Sequence, residues 1–373
     1  MDVGILTFHC ADNVGALLQA YGLKRYLQDQ GAQAEIIPYE PPFLTGRLGP
    51  FPYVPPKVFI RNSWYLWKIW NGLKRFYIRK ESSADSRKNM ARFRQEFLVE
   101  KNRRKIRSVL GLRRVSCRVL LVGSDQIWNP EITYGLRRAY FGGFWNKRIQ
   151  RTVAYAASMG REELPPKYEK RFARLLSHVD AVSLREAGAL PYVRRQGREA
   201  RAVLDPVFLP GAEVWETIEK RPKRQGFILV YQVQDHPKLR EFAEELSREK
   251  GLPVVQLQAY GNYENGFETD RTAGPSEFLG YLHQADYVVT NSFHGVAFSI
   301  IYEKRFAAFL HNQYGARIRN VLKTFGLENR LFQEGMDMDA PIPWDRAAAD
   351  GRESIRASKA FLEREVLRAS DEC

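Results

Sequence analysis

The chain has 373 residues, 44% of them hydrophobic, and a formal net charge of +15. That length suits two domains with real cores, and no apolar run reaches the roughly eighteen residues a membrane-crossing helix needs. Three cysteines (Cys10, Cys117 and Cys373) without metal-like spacing argue against a disulfide scaffold and against a zinc site.

Short apolar runs alternate with amphipathic stretches. Residues 3–8 read as a strand, with no charged leader, apolar signal core or cleavage site ahead of it, so a cytoplasmic location is expected. Residues 13–30 read as a helix: Ala16, Ala20, Leu23 and Leu27 share one face, Asn13 suits the N-cap and Gly31 the C-terminal stop. Residues 35–39 read as the next strand. A β-α-β opening implies a parallel sheet.

Residues 57–107 break the pattern. They hold sixteen Lys and Arg against four acids. Trp64, Tyr65, Trp67, Trp70, Phe76 and Tyr77 are interleaved with that charge. A helical insertion that buries its aromatics and solvates its charges is the plain reading. Docking on an anionic membrane comes second. Nucleic acid is a distant third and is not expected as a partner, because no binding motif accompanies the charge.

Strands follow at 118–123, 152–157, 181–184 and 202–205, with a helix at 168–177. Asp205 to Gly211 carries two prolines and a glycine and reads as the exit from a first domain. A second alternation begins at Phe227, with strands at 227–231, 253–257, 286–290 and 305–309. Its helices are expected at 238–250, 276–284, 296–302 and 316–325. The last segment, 353–368, places Ile355, Leu362 and Val366 on one stripe and should pack back across the domains. The division is therefore 1–209, 210–345 and a C-terminal helix within 346–373.

Ligands of open parallel sheets bind at the carboxyl ends of the strands, and polar turns follow several strands here. Thr290 to Gly295 leads from a strand into a helix. His294 there can exchange a proton near neutral pH, Gly295 allows close approach, and the helix start offers N–H groups to an anion. In Gly123 to Asn129, Asp125 suits a base or positioner for a sugar hydroxyl and Trp128 a flat face for a sugar ring. A turn in which Asp125 and Asn129 satisfy local backbone fits equally well. Arg185 also follows a strand and can fork onto a carboxylate or phosphate, or pair with Glu186 at the surface. Gly274 and Ser276 mark another helix start. No Walker loop, GxGxxG, HExxH or GxSxG occurs, which removes support for nucleotide hydrolysis, dinucleotide binding, zinc proteolysis and serine hydrolysis.

In order, NVGALLQAY (13–21), GSDQIWN (123–129), YAAS (155–158), LRE (184–186), DPVFL (205–209), GPSEFL (274–279) and TNSFHGVAFS (290–299) resemble the polysaccharide pyruvyltransferase family. The resemblance runs from about residue 3 to about residue 330, apart from the basic insertion. It implies two Rossmann-like α/β domains facing a central cleft, as in glycosyltransferases of the B type. It implies phosphoenolpyruvate as donor co-substrate; no bound cofactor is expected, and the sequence offers no convincing metal-ligand cluster. The product would be a pyruvate ketal on an oligosaccharide or lipid-linked sugar of a cell-surface or exopolysaccharide precursor.

By position, the resemblance assigns His294 and Asp125 to catalysis. It assigns Arg185 to the donor; the polar turns add Ser292, Gly295, Gly274 and Ser276 as expected donor contacts, and Asn13, Gln126, Trp128 and Asn129 as expected acceptor contacts. Relatives can carry an arginine two residues before the histidine, where this chain has Ser292. Helix-end N–H groups at 295–297, or another basic residue, would then neutralise the donor.

Two rivals stand beside this. A nucleotide-sugar glycosyltransferase shares the fold but needs a ribose-binding carboxylate, for which the second domain offers no clear candidate. A catalytically idle assembly protein, held at the inner face of the membrane by 57–107, would bind vesicles and no donor.

Overall fold

The structure, a computed structural model, describes residues 1–48, 51–52, 84–100, 103–257, 266–310 and 315–368. The aromatic stretch from Trp64 to Tyr77 lies outside the described residues, and with it both readings of that stretch, helical insertion and membrane docking.

Six apolar runs form the first sheet: β1 (Val3–Leu6), β2 (Ala34–Ile36), β3 (Val119–Gly123), β4 (Arg151–Ala157), β5 (Ala181–Leu184) and β6 (Ala200–Ala202). They pair in parallel in the order β2-β1-β3-β4-β5-β6. The second sheet comprises β7 (Ile228–Tyr231), β8 (Val254–Leu257), β9 (Glu268–Asp270), β10 (Tyr287–Thr290) and β11 (Arg305–Ala308). Its order is β9-β8-β7-β10-β11, again parallel. Central strands such as β1, β3, β7 and β10 are buried at every residue, as sheets covered on both faces require. Two parallel, helix-flanked sheets are the α/β architecture expected from the alternation.

The edges depart from expectation for a physical reason. Strand β9 is polar and partly exposed, so it has no apolar signature. Strand β6 ends at Ala202, three residues before the expected limit. Beyond it the backbone leaves the sheet, and the Leu204 N–H donates to Ser358 Oγ at 2.9 Å.

Helix α1 (Val14–Asp29) starts at Asn13, whose Oδ1 accepts the Ala16 N–H at 2.9 Å. It is buried on most sides because it lies between the two halves. Helix α2 (Ala84–Phe93) and the wide turn Arg94–Leu98 dock on it. Phe93 and Phe97 stand edge-on to Tyr21, and Lys24 donates to the carbonyls of Phe97 and Leu98.

Trp215 joins the halves. It is fully buried, with its ring 5.5 Å from that of Tyr21 and 4.9 Å from that of Phe298. Its Nε1–H donates to the Val207 carbonyl at 3.2 Å. Residues of both sheets belong to one continuous apolar cluster around it.

Helices α3 (Glu169–Leu176) and α4 (Leu190–Arg195) flank the first sheet. Helices α5 (Pro237–Lys250), α6 (Pro275–Gln284), α7 (Phe293–Ile301) and α8 (Gly315–Thr324) belong to the second. The final helix, α9 (Trp344–Leu362), begins nine residues before the expected start at 353. Its first turns are mostly exposed and show no apolar stripe to read. It straps the molecule: Gly351 fits against the Phe325 ring of the second half, and Phe361 packs 6.2 Å from Tyr155 of the first. Among the described residues, no helix is long and apolar enough to cross a membrane.

Candidate active site

Three polar turns meet where the carboxyl ends of the two sheets face each other. In each, tertiary hydrogen bonds use up most of the side chains.

After β10, Thr290 Oγ1 donates to the Tyr231 carbonyl at 2.6 Å and accepts the Ser292 N–H at 3.0 Å. Asn291 Oδ1 accepts the Val233 N–H, and its Nδ2 donates to the Gln234 carbonyl. Ser292 Oγ caps α7 by accepting the Gly295 N–H at 3.3 Å. The Gly295 N–H is thus taken by the cap, which corrects its expected offer to the donor, while the Ser292 hydroxyl keeps its own proton to give.

His294 is the side chain left over. Its ring packs against Gly15 of α1. A Cβ at Gly15 would sit 2.0 Å from Nδ1 and 2.2 Å from Cε1. Only glycine admits the imidazole there. Nε2 is buried without a hydrogen-bond partner, and Phe293 stands edge-on 5.2 Å away. Burial lowers the His294 pKa to about 4; Asp205 and Asp125 pull it up, Arg185 and Arg317 push it down. In the free protein the ring is neutral at pH 7.

After β5, Arg185 is buried, which removes the surface-pair alternative. Its Nη1 donates to Asp205 Oδ2 at 2.7 Å, and its Nε lies 3.6 Å from Glu186 Oε1. Burial opposes its charge, but Asp205, Glu186 and Asp125 outweigh that and raise its pKa. Nη2 has no hydrogen-bond partner. The guanidinium sits 5.4 Å over the Phe293 ring, and that of Arg317 from α8 lies 5.9 Å from the same ring. Burial, with Arg185 next, pulls the Arg317 pKa down to about 10. Two cations thus flank one aromatic ring next to the histidine.

After β3, Asp125 takes a left-handed backbone with φ 69°, uncommon for a residue other than glycine and frequent at functional sites. Its Oδ1 accepts the Gln126 N–H at 2.8 Å, which leaves Oδ2. His294, Arg185 and Arg317 all feel its charge.

The rest of this turn is scaffold, and three expectations are corrected. Trp128 is fully buried, stacked on Phe141 at 4.9 Å, with Nε1–H donating to the Tyr140 carbonyl; no face remains for a sugar. Asn129 is 1% exposed, donates to Gln126 Oε1 at 2.6 Å and accepts the Glu131 N–H. Gln126 is buried with it. Asn13 is exposed at the mouth, its Oδ1 engaged in the α1 cap.

Gly274 and Ser276 are also corrected. The start of α6 is closed by Glu277, which accepts the Gly274 N–H at 3.0 Å. Helix α2 covers it, with Asn89 donating to the Thr272 carbonyl and Ser86 to that of Ala273. No donor anion can reach those N–H groups.

Gly15, Phe293, Asp205 and Arg317 join the site unforeseen. Asp205 opens the Asp205-Pro206 run, whose prolines mark a domain exit and give no sign of a buried ion pair. Arg317 sits in a helix rich in arginine, where no local pattern singles it out. Among the described residues, no cluster of His, Cys, Asp or Glu is placed to hold a metal ion.

Behind the site, His9 is 1% exposed, and burial lowers its pKa from 6.5 to about 4. Its neutral form is favoured on folding, so this contribution is complete above pH 6.5 and is lost as pH falls toward 4. Between pH 7 and pH 5 the wild type should lose about 2 kcal/mol more than His9→Gln, measured by urea unfolding. Equal losses would mean that His9 takes up its proton freely in the folded state.

The sequence matches the model of the polysaccharide pyruvyl transferase family over residues 13–313. No curated protein matches it. Among solved structures, the chain is similar to UDP-GlcNAc 2-epimerase from Neisseria meningitidis bound to UDP-GlcNAc (9% identity, 100% of this chain and 93% of that one, TM-score 0.46). It is also similar to the UDP-GlcNAc 2-epimerase of Methanocaldococcus jannaschii (9%, 97% and 99%, TM-score 0.43). E. coli ADP-heptose lps heptosyltransferase II is a further neighbour (10%, 96% and 100%, TM-score 0.35). The matched span runs through both sheets and all three turns that bring Asp125, Arg185 and His294 together, and the chain belongs to the polysaccharide pyruvyl transferase family.

Proposed function

We propose that this protein transfers the pyruvyl group of phosphoenolpyruvate to two hydroxyls of one sugar in a cell-surface or exopolysaccharide precursor. One observation carries the reading: a buried, unpartnered His294 Nε2 among Arg185, Arg317, Asp125 and Asp205, assembled from both halves of the molecule.

The donor carries a carboxylate and a phosphate. Arg185 Nη2 and the Arg317 guanidinium supply the positive charge, in place of the arginine that Ser292 replaces and of the closed N–H groups at Gly295. Guanidinium suits both groups because its fork matches their oxygens. An anion arriving beside His294 favours the charged imidazole and raises its pKa. The protonated ring then gives its proton to the donor's methylene carbon. C2 becomes cationic, and a sugar hydroxyl adds to it, losing its proton to the Asp125 carboxylate. The C2–phosphate bond breaks, and the second hydroxyl closes the ring. Of the two hydroxyl protons, one replaces that spent on the new methyl group and the other leaves with phosphate, so atoms and charge balance.

The test is incubation with phosphoenolpyruvate and a panel of lipid-linked and free oligosaccharides, with mass spectrometry of the products. Phosphate release with a pyruvate ketal on the sugar is expected. Release of a nucleoside diphosphate from a sugar nucleotide, with phosphoenolpyruvate untouched, would replace this function with glycosyl transfer.

A further inference from the structure

We infer that the face carrying Leu110 and Trp145 docks on an anionic membrane surface. These two are the most exposed large apolar side chains among the described residues, at 71% and 66%. They flank a surface pocket of about 270 Å³ that Val109, Arg113, Arg138 and Phe144 also line. Leu110 lies in the short helix Val109–Leu112, and Trp145 lies on the turn before β4. Asn146 ties the two segments together by donating to the carbonyls of Leu112 and Val115. The apolar pair is therefore held on a fixed support.

The segment that carries it is strongly basic. Residues 101–151 contain thirteen Lys and Arg and only two acids, Asp125 and Glu131. Arg113, Arg114, Arg138, Lys147 and Arg148 are all exposed, and among the described residues none of them forms an ion pair. Arg113 and Lys147 lie 5.2 and 5.4 Å from the Trp145 ring. An exposed tryptophan and leucine ringed by unpaired cations match the two layers of an anionic bilayer surface. The apolar tips enter the interface, while the cations meet lipid phosphates.

The patch precedes β3 and β4, at the amino ends of the strands, whereas the active site lies at their carboxyl ends. A five-residue strand such as β3 spans about 17 Å. Docking would hold the cleft above the bilayer, at a height a membrane-linked sugar chain can reach.

Cosedimentation of the full chain with vesicles of phosphatidylcholine alone, and of phosphatidylcholine with phosphatidylglycerol, tests this. Binding to the anionic vesicles only is expected. Leu110→Ser/Trp145→Ser, which changes no charge, should weaken it by about tenfold or more. Arg113→Gln/Lys147→Gln should weaken it by a similar factor, and Lys223→Gln/Arg356→Gln, exposed cations of the other half and of α9, should not. Undiminished binding of the serine variant, or equal losses in both glutamine variants, would overturn the inference. So would a concentration-dependent dimer that disappears with Trp145→Ser, since the patch would then belong to a second copy of the chain. All these side chains are exposed, so the urea midpoints should stay unchanged.

Discussion

Alanine at position 15 should stop pyruvyl transfer and leave the protein folded. A helical glycine replaced by alanine ordinarily gains about 1 kcal/mol. Here the added methyl would occupy the place of the His294 ring, 2.0 Å from Nδ1. The imidazole is a side chain and can swing away, so the helix keeps its place and the ring loses its own. An ångström of misplacement at a reacting group can cost about 10²-fold, and loss of the acid-base group itself costs about 10²–10⁴. Gly15→Ala and His294→Ala should therefore fall within the same range, with melting temperatures near that of the wild type. The double variant should be no worse than His294→Ala, because both changes remove one interaction. Full turnover in Gly15→Ala would show that the ring does not act from this position.

The second large effect is on stability. Arg185→Ala should destabilise the fold by about 3–5 kcal/mol, the usual result of removing one partner of a buried ion pair. Asp205 and Glu186 are 1% and 6% exposed, and both would be left without the charge that offsets their burial. Urea unfolding checks this. Arg185→Lys keeps a charge but not the fork, so it should retain more stability while weakening donor binding. A loss below about 1 kcal/mol in Arg185→Ala would mean that water reaches these acids, contrary to their burial.

The sheets were legible because central parallel strands are buried on both faces and run apolar, and β3 and β7 show this in the sequence alone. The edges were less so: β9 is Glu-Thr-Asp and has nothing to alternate. The three turns were legible as places, since polar side chains crowd the ends of buried strands. Which atom in each turn stays available was not. Trp128 and Asp125 stand three residues apart, yet one is locked under Tyr140 and Phe141 and the other faces the cleft. That sorting is made by packing partners that the turn's own sequence does not name. The Gly15–His294 contact joins the start of one half to the middle of the other, and neither residue carries a local sign of it. Arg317 is equally silent, since an arginine on an amphipathic helix reads as solvated until α8 is placed against α7.

Calorimetric titration with phosphoenolpyruvate at pH 7, in two buffers of different ionisation heat, tests the central claim most directly. The expected result is saturable binding with uptake of about one proton per donor, because an imidazole that is neutral when free becomes charged beside the anion. His294→Ala should still bind the donor and take up none. Absence of donor binding, or the same proton uptake in His294→Ala, would contradict the assignment of this cleft.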